Sequence, residues 1–261
     1  MPEKMSFSRI KAFWDCPTNY YILYIAGIKT PPTFPLINGS ATHKCIQEML
    51  SSPDPLNCSL TSGLKNAILK EAKGTDIKLD TENIYKCSTN AVKALYQRVP
   101  GLKIKEVENK FESFLSDGNN GWINKIKITG IIDCVVKGRD RGKGNPVYIM
   151  IDWKTTGNVS KAIVRYGMKM YRAQLALYKY FWSLESGIPV SEIKTSFGLI
   201  GLDRTMRWRD VRCSIDFLEG IMREVNRSLS IMPISDLPYY NKEFIKCNYC
   251  FSRSICMESK R

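Results

Sequence analysis

No apolar run in the 261-residue sequence reaches the roughly 18 residues that a membrane-spanning helix needs, so no transmembrane helix is expected. Acidic residues are in short supply. Lys and Arg outnumber Asp and Glu by 39 to 25, a formal charge of +14. A chain this basic repels itself unless something anionic offsets the charge; nucleic acid is the first candidate and an acidic membrane surface the second. A secretion signal is not expected either. The nearest approach, "YYILYIAGI" from Tyr20 to Ile28, follows Lys4, Arg9 and Lys11. Asp15, Cys16 and Pro17 intervene, however, and no small-residue cleavage site follows. The segment reads as a buried helix or the end of one. With no such signal and an odd count of nine cysteines, a disulfide framework is not expected. The expected setting is intracellular and reducing, cytoplasmic or nucleoid-associated. There are no internal repeats, no low-complexity tract and no helicase motif, so any motor would be a separate chain.

What is present orders itself by period. A helix opens after Ser6 or Ser8, either of which can cap it, and Pro17 kinks it or starts a second one. "TPPTFPL" reads as a loop. Residues 38–100 are mostly helical, with a polar break around "SSPDPLNCS". After Gly101 the pattern alternates in "KIKEVENKFESFL" and "WINKIKITGIIDCVV", which predicts strands. "RDRGKGNP" predicts a basic hairpin loop, and "VYIMIDWK" a third strand. A helix over "MKMYRAQLALYKYFWSLESG" stops near Gly187. "EIKTSFGLIGL" and "TMRWRDV" predict further strands, followed by a helix capped by Ser214. Helices around a mixed sheet make this an α/β fold.

The apolar strand "VYIMIDWK" ends in two charges. Side chains two apart on a strand share a face, so Asp152 and Lys154 point together and Trp153 points away. The preceding strand embeds Asp133 in "GIIDCVV". Carboxylates inside apolar strands are costly unless something cationic meets them. A buried salt bridge would suffice for Asp152 and Lys154 alone. If the two strands form a hairpin, the two carboxylates come together. Two carboxylates and an ammonium then make a sensible Mg²⁺ site, with open positions for phosphate and water. Glu106, Glu108 and Glu112 lie on the strand before; one of them could join, and spacing does not choose among them.

Gly130-x-x-Asp133, Asp152-x-Lys154 and Gln174-x-x-x-Tyr178 occur in that order, preceded by Gly39 and the sole histidine, His43. This resembles the PD-(D/E)XK nuclease superfamily, and within it the RecB-type exonuclease branch. Ile132-Asp133 stands where the superfamily nominally has Pro-Asp, a substitution usual in that branch. The resemblance implies a restriction-endonuclease-like core. It further implies a metal-dependent DNA exonuclease in which His43, Asp133, Asp152 and the backbone carbonyl of Trp153 hold Mg²⁺ or Mn²⁺. Lys154 would meet charge on the phosphate or position the water, and Gln174 and Tyr178 would support the site. Arg139, Arg141, Lys143 and the basic residues of "KAIVRYGMKMYR" are candidate phosphate contacts.

The C-terminal tail carries Cys247-x₂-Cys250-x₅-Cys256, a ligand spacing for zinc or an iron–sulfur cluster that is one ligand short. Cys16, before Pro17, is the upstream candidate. One cysteine before a proline at the start and three at the end resemble iron-staple RecB-type nucleases, such as the AddB nuclease domain and CRISPR-associated adaptation nucleases. That resemblance implies a [4Fe–4S] cluster on Cys16, Cys247, Cys250 and Cys256, with Zn²⁺ as the alternative. The whole chain is expected to be one nuclease domain. Within it, residues 1–35 hold the first cluster cysteine, 36–100 the helical region with His43, 101–212 the core, and 213–261 the last helix and tail. DNA, single-stranded or with single-stranded ends, is the expected partner, together with a helicase or integrase protein. The alternative is a catalytically weak DNA-binding subunit of such a complex.

Overall fold

The computed structural model describes residues 4–114, 127–139 and 146–231. In chain order the elements are β1 (Lys4–Ser6), α1 (Phe7–Asp15), α2 (Pro17–Tyr20), α3 (Phe34–Leu50), α4 (Ser62–Lys70) and α5 (Thr81–Arg98). They continue with β2 (Lys103–Phe114), β3 (Lys127–Arg139), β4 (Pro146–Thr156), α6 (Val159–Arg165), α7 (Lys169–Ser186), β5 (Ile193–Gly201), β6 (Met206–Val211) and α8 (Ile215–Ile231). The helix starts follow local chemistry. Ser6 Oγ accepts from Arg9 N, and Ser214 Oγ accepts from Phe217 N, as expected of the two caps. Pro17 stands at the first turn of α2, where its missing N–H costs nothing. Two short elements escape the sequence pattern, the three-residue β1 and the seven-residue α6. "TPPTFPL" is only partly a loop, because α3 already begins at Phe34 with Pro35 in its first turn. Residues 140–145, the core of the expected hairpin loop with Arg141 and Lys143, lie outside the described residues. So do residues 115–126 and the tail with Cys247, Cys250 and Cys256.

The chain forms two compact units. The smaller comprises Met1–Pro31, Glu112–Gly130 and Glu219–Arg261. In it β1 pairs in parallel with the start of β3, Met5 opposite Ile128. Glu112 accepts from both Lys4 and Lys127 at 2.7 Å. Phe7 meets Trp14 edge-on and Phe13 meets Tyr20 in the same way. Trp14 Nε1 donates to Ser228 Oγ at 2.5 Å, which ties α1 to α8.

The larger unit comprises Pro32–Phe111 and Ile131–Leu218. Its strands run in the order β2-β3-β4-β5-β6; β3/β4 and β5/β6 are antiparallel and β4/β5 is parallel, so the sheet is mixed. On β4 the residues Val147, Ile149, Ile151 and Trp153 enter a core shared with α3, α4 and α5. The alternate residues face α7, where Tyr148 meets Trp182 at 5.5 Å between ring centroids. A strand covered on both faces reads as a continuous apolar run, which is why "VYIMI" does. Gly198 on β5 makes room for the indole of Trp153: a Cβ there would lie 2.3 Å from ring carbon Cε3. The bulky anchor on one face therefore sets the direction of Asp152 and Lys154 on the other.

Candidate active site

The β3/β4 ladder ends at Cys134 opposite Ile151. One more step of this register would place Asp133 opposite Asp152, with both side chains on one face. The backbone pairing stops there instead. β4 continues along β5 as far as Thr156, and the N–H of Trp153 donates to Asp133 Oδ2 at 2.7 Å. The strands have opened, and a side-chain carboxylate replaces the missing ladder partner.

Two groups of side chains gather at this opening. In the first, His43 Nδ1 of α3 lies 3.4 Å from Asp133 Oδ2. Glu108 of β2 joins them: one ligand atom from each of His43, Glu108 and Asp133 falls within 4.8 Å of the others. Glu108 has φ of +53°, the left-handed region, which interrupts the two-residue alternation of β2 at that point. Gly39, one turn before His43, lets α3 approach β4; a Cβ there would sit 3.0 Å from Thr155 Oγ1. In the second group Lys154 Nζ lies 2.5 Å from Asp152 Oδ2. Gln174 Nε2 of α7 donates to Asp152 Oδ1 at 3.0 Å and lies 3.3 Å from Tyr178 Oη. A cavity of 510 Å³ opens on the site, lined by His43, Glu108, Asp133 and Lys154 among others.

Burial and mutual charge drive the two aspartates apart. Burial alone would raise the Asp133 carboxyl, but His43, Lys154 and the Trp153 N–H outweigh it and hold it below its ordinary value. Asp152 is buried more completely, and Asp133 adds repulsion. Lys154 offsets these only in part, so Asp152 is pushed up to about 6. Burial raises Glu108 as well, with Asp133 contributing. Burial disfavours the charged form of His43, yet Asp133 overrides it and the pKa is raised. Lys154 is likewise raised by Asp152 and Asp133 against its own burial. Tyr178 is pushed up to about 12, first by burial and then by Asp152. Carboxylates crowded beside Asp133 and pushed up in part by its charge mark a place where a cation would be welcome.

The structure therefore brings together His43, Asp133, Asp152, Lys154, Gln174 and Tyr178. Trp153 turns its ring into the core, as its position two-sidedly predicts, and its N–H rather than its carbonyl makes the bond seen at Asp133. Asp152 stands beside the three-residue group, not within it, because its oxygens face Lys154 and Gln174. Glu108 is the residue that the sequence left undecided among three glutamates. The donor set, an imidazole with two carboxylates, suits a divalent ion that takes oxygen ligands and tolerates one nitrogen. Cys16 is half-buried at the α1–α2 junction, and its three expected partners lie outside the described residues.

An acidic, histidine-containing group at the opening of a mixed sheet, with a buried Asp–Lys pair next to it, is a donor set of the kind that metal-assisted hydrolases use. Residues 4–257 match the PD-(D/E)XK nuclease superfamily, and the chain belongs to that superfamily. The fold is similar to that of a solved structure from Eubacterium rectale titled "Putative exonuclease". The TM-score is 0.57 at 14% identity, covering 97% of this chain and 88% of that one. A glutamyl-tRNA reductase of Wigglesworthia glossinidia brevipalpis is 28% identical over 98 residues, 35% of this chain. The chain spans only 23% of that reductase's length, a match too short to bear on fold or function. Among the described residues no helix is long and apolar enough to cross a membrane.

Proposed function

We propose that this chain is a divalent-metal-dependent deoxyribonuclease that hydrolyses phosphodiester bonds, working as an exonuclease in DNA recombination, repair, replication or CRISPR adaptation. The observation that carries the reading is the pairing of the His43–Glu108–Asp133 group with the Asp152–Lys154 pair at the opened end of β3 and β4. Superfamily membership supports hydrolysis of nucleic acid, the name of the structural neighbour supports exonuclease action, and the +14 charge supports a DNA partner.

His43, Glu108 and Asp133 would hold Mg²⁺ or Mn²⁺, with Asp152 and the Trp153 carbonyl as the further ligands the family resemblance implies. When bound, the ion polarises the scissile phosphate and lowers the pKa of an attacking water. Lys154 keeps its proton and faces the negative charge that grows on the phosphate. Gln174 fixes the rotamer of Asp152 by donating to Oδ1, and Tyr178 backs Gln174. A gel assay on single- and double-stranded DNA with Mg²⁺ or Mn²⁺ tests this. Wild type should degrade DNA, and Asp152→Ala should lose roughly 10³-fold or more in rate while still binding DNA. Wild-type rates in Asp152→Ala would refute the assignment.

A [4Fe–4S] cluster on Cys16, Cys247, Cys250 and Cys256 is proposed on the order and spacing of those cysteines. The Trp14–Ser228 bond, which ties the helix leading to Cys16 to the last described helix, supports it. Such a cluster would contribute folding free energy by closing most of the chain into one loop. Iron with acid-labile sulfide and broad visible absorbance is the expected finding. Stoichiometric zinc without either would replace the cluster and leave the nuclease reading intact.

A further inference from the structure

The opposite end of the larger unit's sheet carries the reverse charge. A cavity of 810 Å³ there is lined by the C-terminal end of β3, the starts of β4 and β5 and the end of β6. Its charged lining residues are Arg98, Arg139, Lys179, Lys194, Arg212 and a single carboxylate, Asp210, which is ion-paired with Arg98. Lys179 is the most telling of them. It is 7% exposed, and the bond described for it is to the carbonyl of Cys213 at 3.3 Å; among the described residues no carboxylate is ion-paired with it. A buried ammonium without an anion is costly unless a ligand supplies one. Burial lowers its pKa accordingly.

A second cavity of 700 Å³ adjoins the first through Arg139, and it is lined by Lys103, Lys105, Lys137 and Arg139, with no acidic residue among the described residues. Lys103 and Lys105 are alternate residues of β2; Lys137 and Arg139 are alternate residues of β3. Alternate residues on a strand sit about 7 Å apart, so several separate anions, rather than one, are needed to meet them. Flat groups lie among the cations. The guanidinium of Arg98 stacks 4.5 Å from the Trp208 ring, and Lys137 Nζ lies 5.3 Å from that of Tyr148. Cations tracking in series beside aromatic platforms are what a nucleic-acid strand uses for its phosphates and bases.

We infer that this end of the sheet is a second nucleic-acid-binding track, gripping the phosphodiester backbone of the strand at a distance from the carboxylate site. Asp133 and Arg139 are six steps apart on β3, about 20 Å along the strand, or roughly six phosphates of a B-form strand. The inference rests on the chain acting on nucleic acid, but not on its cutting it.

The test is fluorescence anisotropy of a labelled single-stranded DNA 20-mer, titrated in EDTA across a range of salt concentrations. The variant is Lys103→Gln/Lys105→Gln/Lys137→Gln. The control removes the same charge elsewhere, Lys65→Gln/Lys70→Gln/Lys73→Gln, at exposed positions on and just after α4. The track variant should bind about tenfold more weakly and lose about 2 units of the log–log salt slope, from roughly 0.7 per phosphate contact. The control should stay within about twofold of wild type. Equal losses in the two variants, or none in the first, would overturn the track. Full displacement of the 20-mer by millimolar mononucleotide would overturn it too, by making this a small-anion site. Circular dichroism verifies that each variant is folded. Because nothing is cleaved in EDTA, failure of the nuclease reading would appear in the gel assay and leave this result standing.

Discussion

Asp152 and Lys179 are buried to nearly the same degree, at 3% and 7% exposure, near opposite ends of one sheet, and their surroundings differ in kind. Asp152 has Lys154 at 2.5 Å and Gln174 at 3.0 Å. Lys179 has one carbonyl at 3.3 Å. At the first end the fold supplies counter-charge, and the excess negative charge sits beside it on Asp133 and Glu108, where a metal would go. At the second end Asp210 answers Arg98, the excess is positive, and among the described residues no carboxylate is ion-paired with Lys179. The contrast teaches that buried charge alone does not mark a site. The sign left over does, since it states which charge must come from outside.

The largest expected effect comes from erasing the negative excess. Glu108→Gln should weaken Mn²⁺ binding by about 100-fold or more, measured by calorimetry, since a direct ligand should cost at least as much as an outer partner. Unchanged affinity would remove Glu108 from the site. Next, Gln174→Ala should lower cleavage by about 10–100-fold with little change in DNA binding, because only the aim of Asp152 is lost.

The pH dependence of the metal-free protein sharpens the comparison further. His43 is raised in the folded state, so its pairing with Asp133 is fully present below its unfolded pKa of about 6.5 and lost as pH rises through the higher folded value. Asp152 sits at about 6 against roughly 3.9 unfolded, so the native state holds that proton more tightly. This favours folding at low pH and is lost between about pH 4 and pH 6. Melting temperature in EDTA should therefore fall from pH 5 to pH 8, by a few degrees for about 1 kcal/mol. Asp152→Asn should flatten the lower part and His43→Gln the upper part. A rise over that interval would contradict the assigned pairings. The smallest effect is at the basic end: Lys179→Met should raise stability by about 1 kcal/mol, read as a melting temperature about 2–4 °C higher. A lower melting temperature would mean that the ammonium is matched after all.

Much of this was legible from residue order. The apolar run into Asp152 and Lys154 follows from a strand covered on both faces, and the i, i+2 rule placed Trp153 on the far side. Gln174 and Tyr178 sit one helical turn apart, so their shared face was also readable. Glu108 was not. It is chosen by a left-handed backbone at that one residue, and periodicity carries no trace of a local φ. The helix α6 is seven residues long, too short to display a period. The basic cavity was invisible for another reason. Arg98, Lys179 and Arg212 are far apart in sequence and meet only because the starts of β4 and β5 and the end of β6 come together at one place. Such non-local gathering has no signature in a window of sequence.

The bond from the Trp153 N–H to Asp133 Oδ2 has a consequence for how this lineage could lose its chemistry. Asp133 stands in for a ladder partner as well as being a candidate ligand, so two selective pressures fall on it. Asparagine satisfies the first and fails the second; alanine fails both. Asp152 carries no such structural duty toward the backbone. A descendant that abandoned catalysis would be free to drift first at Asp152 and Glu108. At Asp133 it would still keep a side-chain oxygen, a fossil of the site held in place by the sheet.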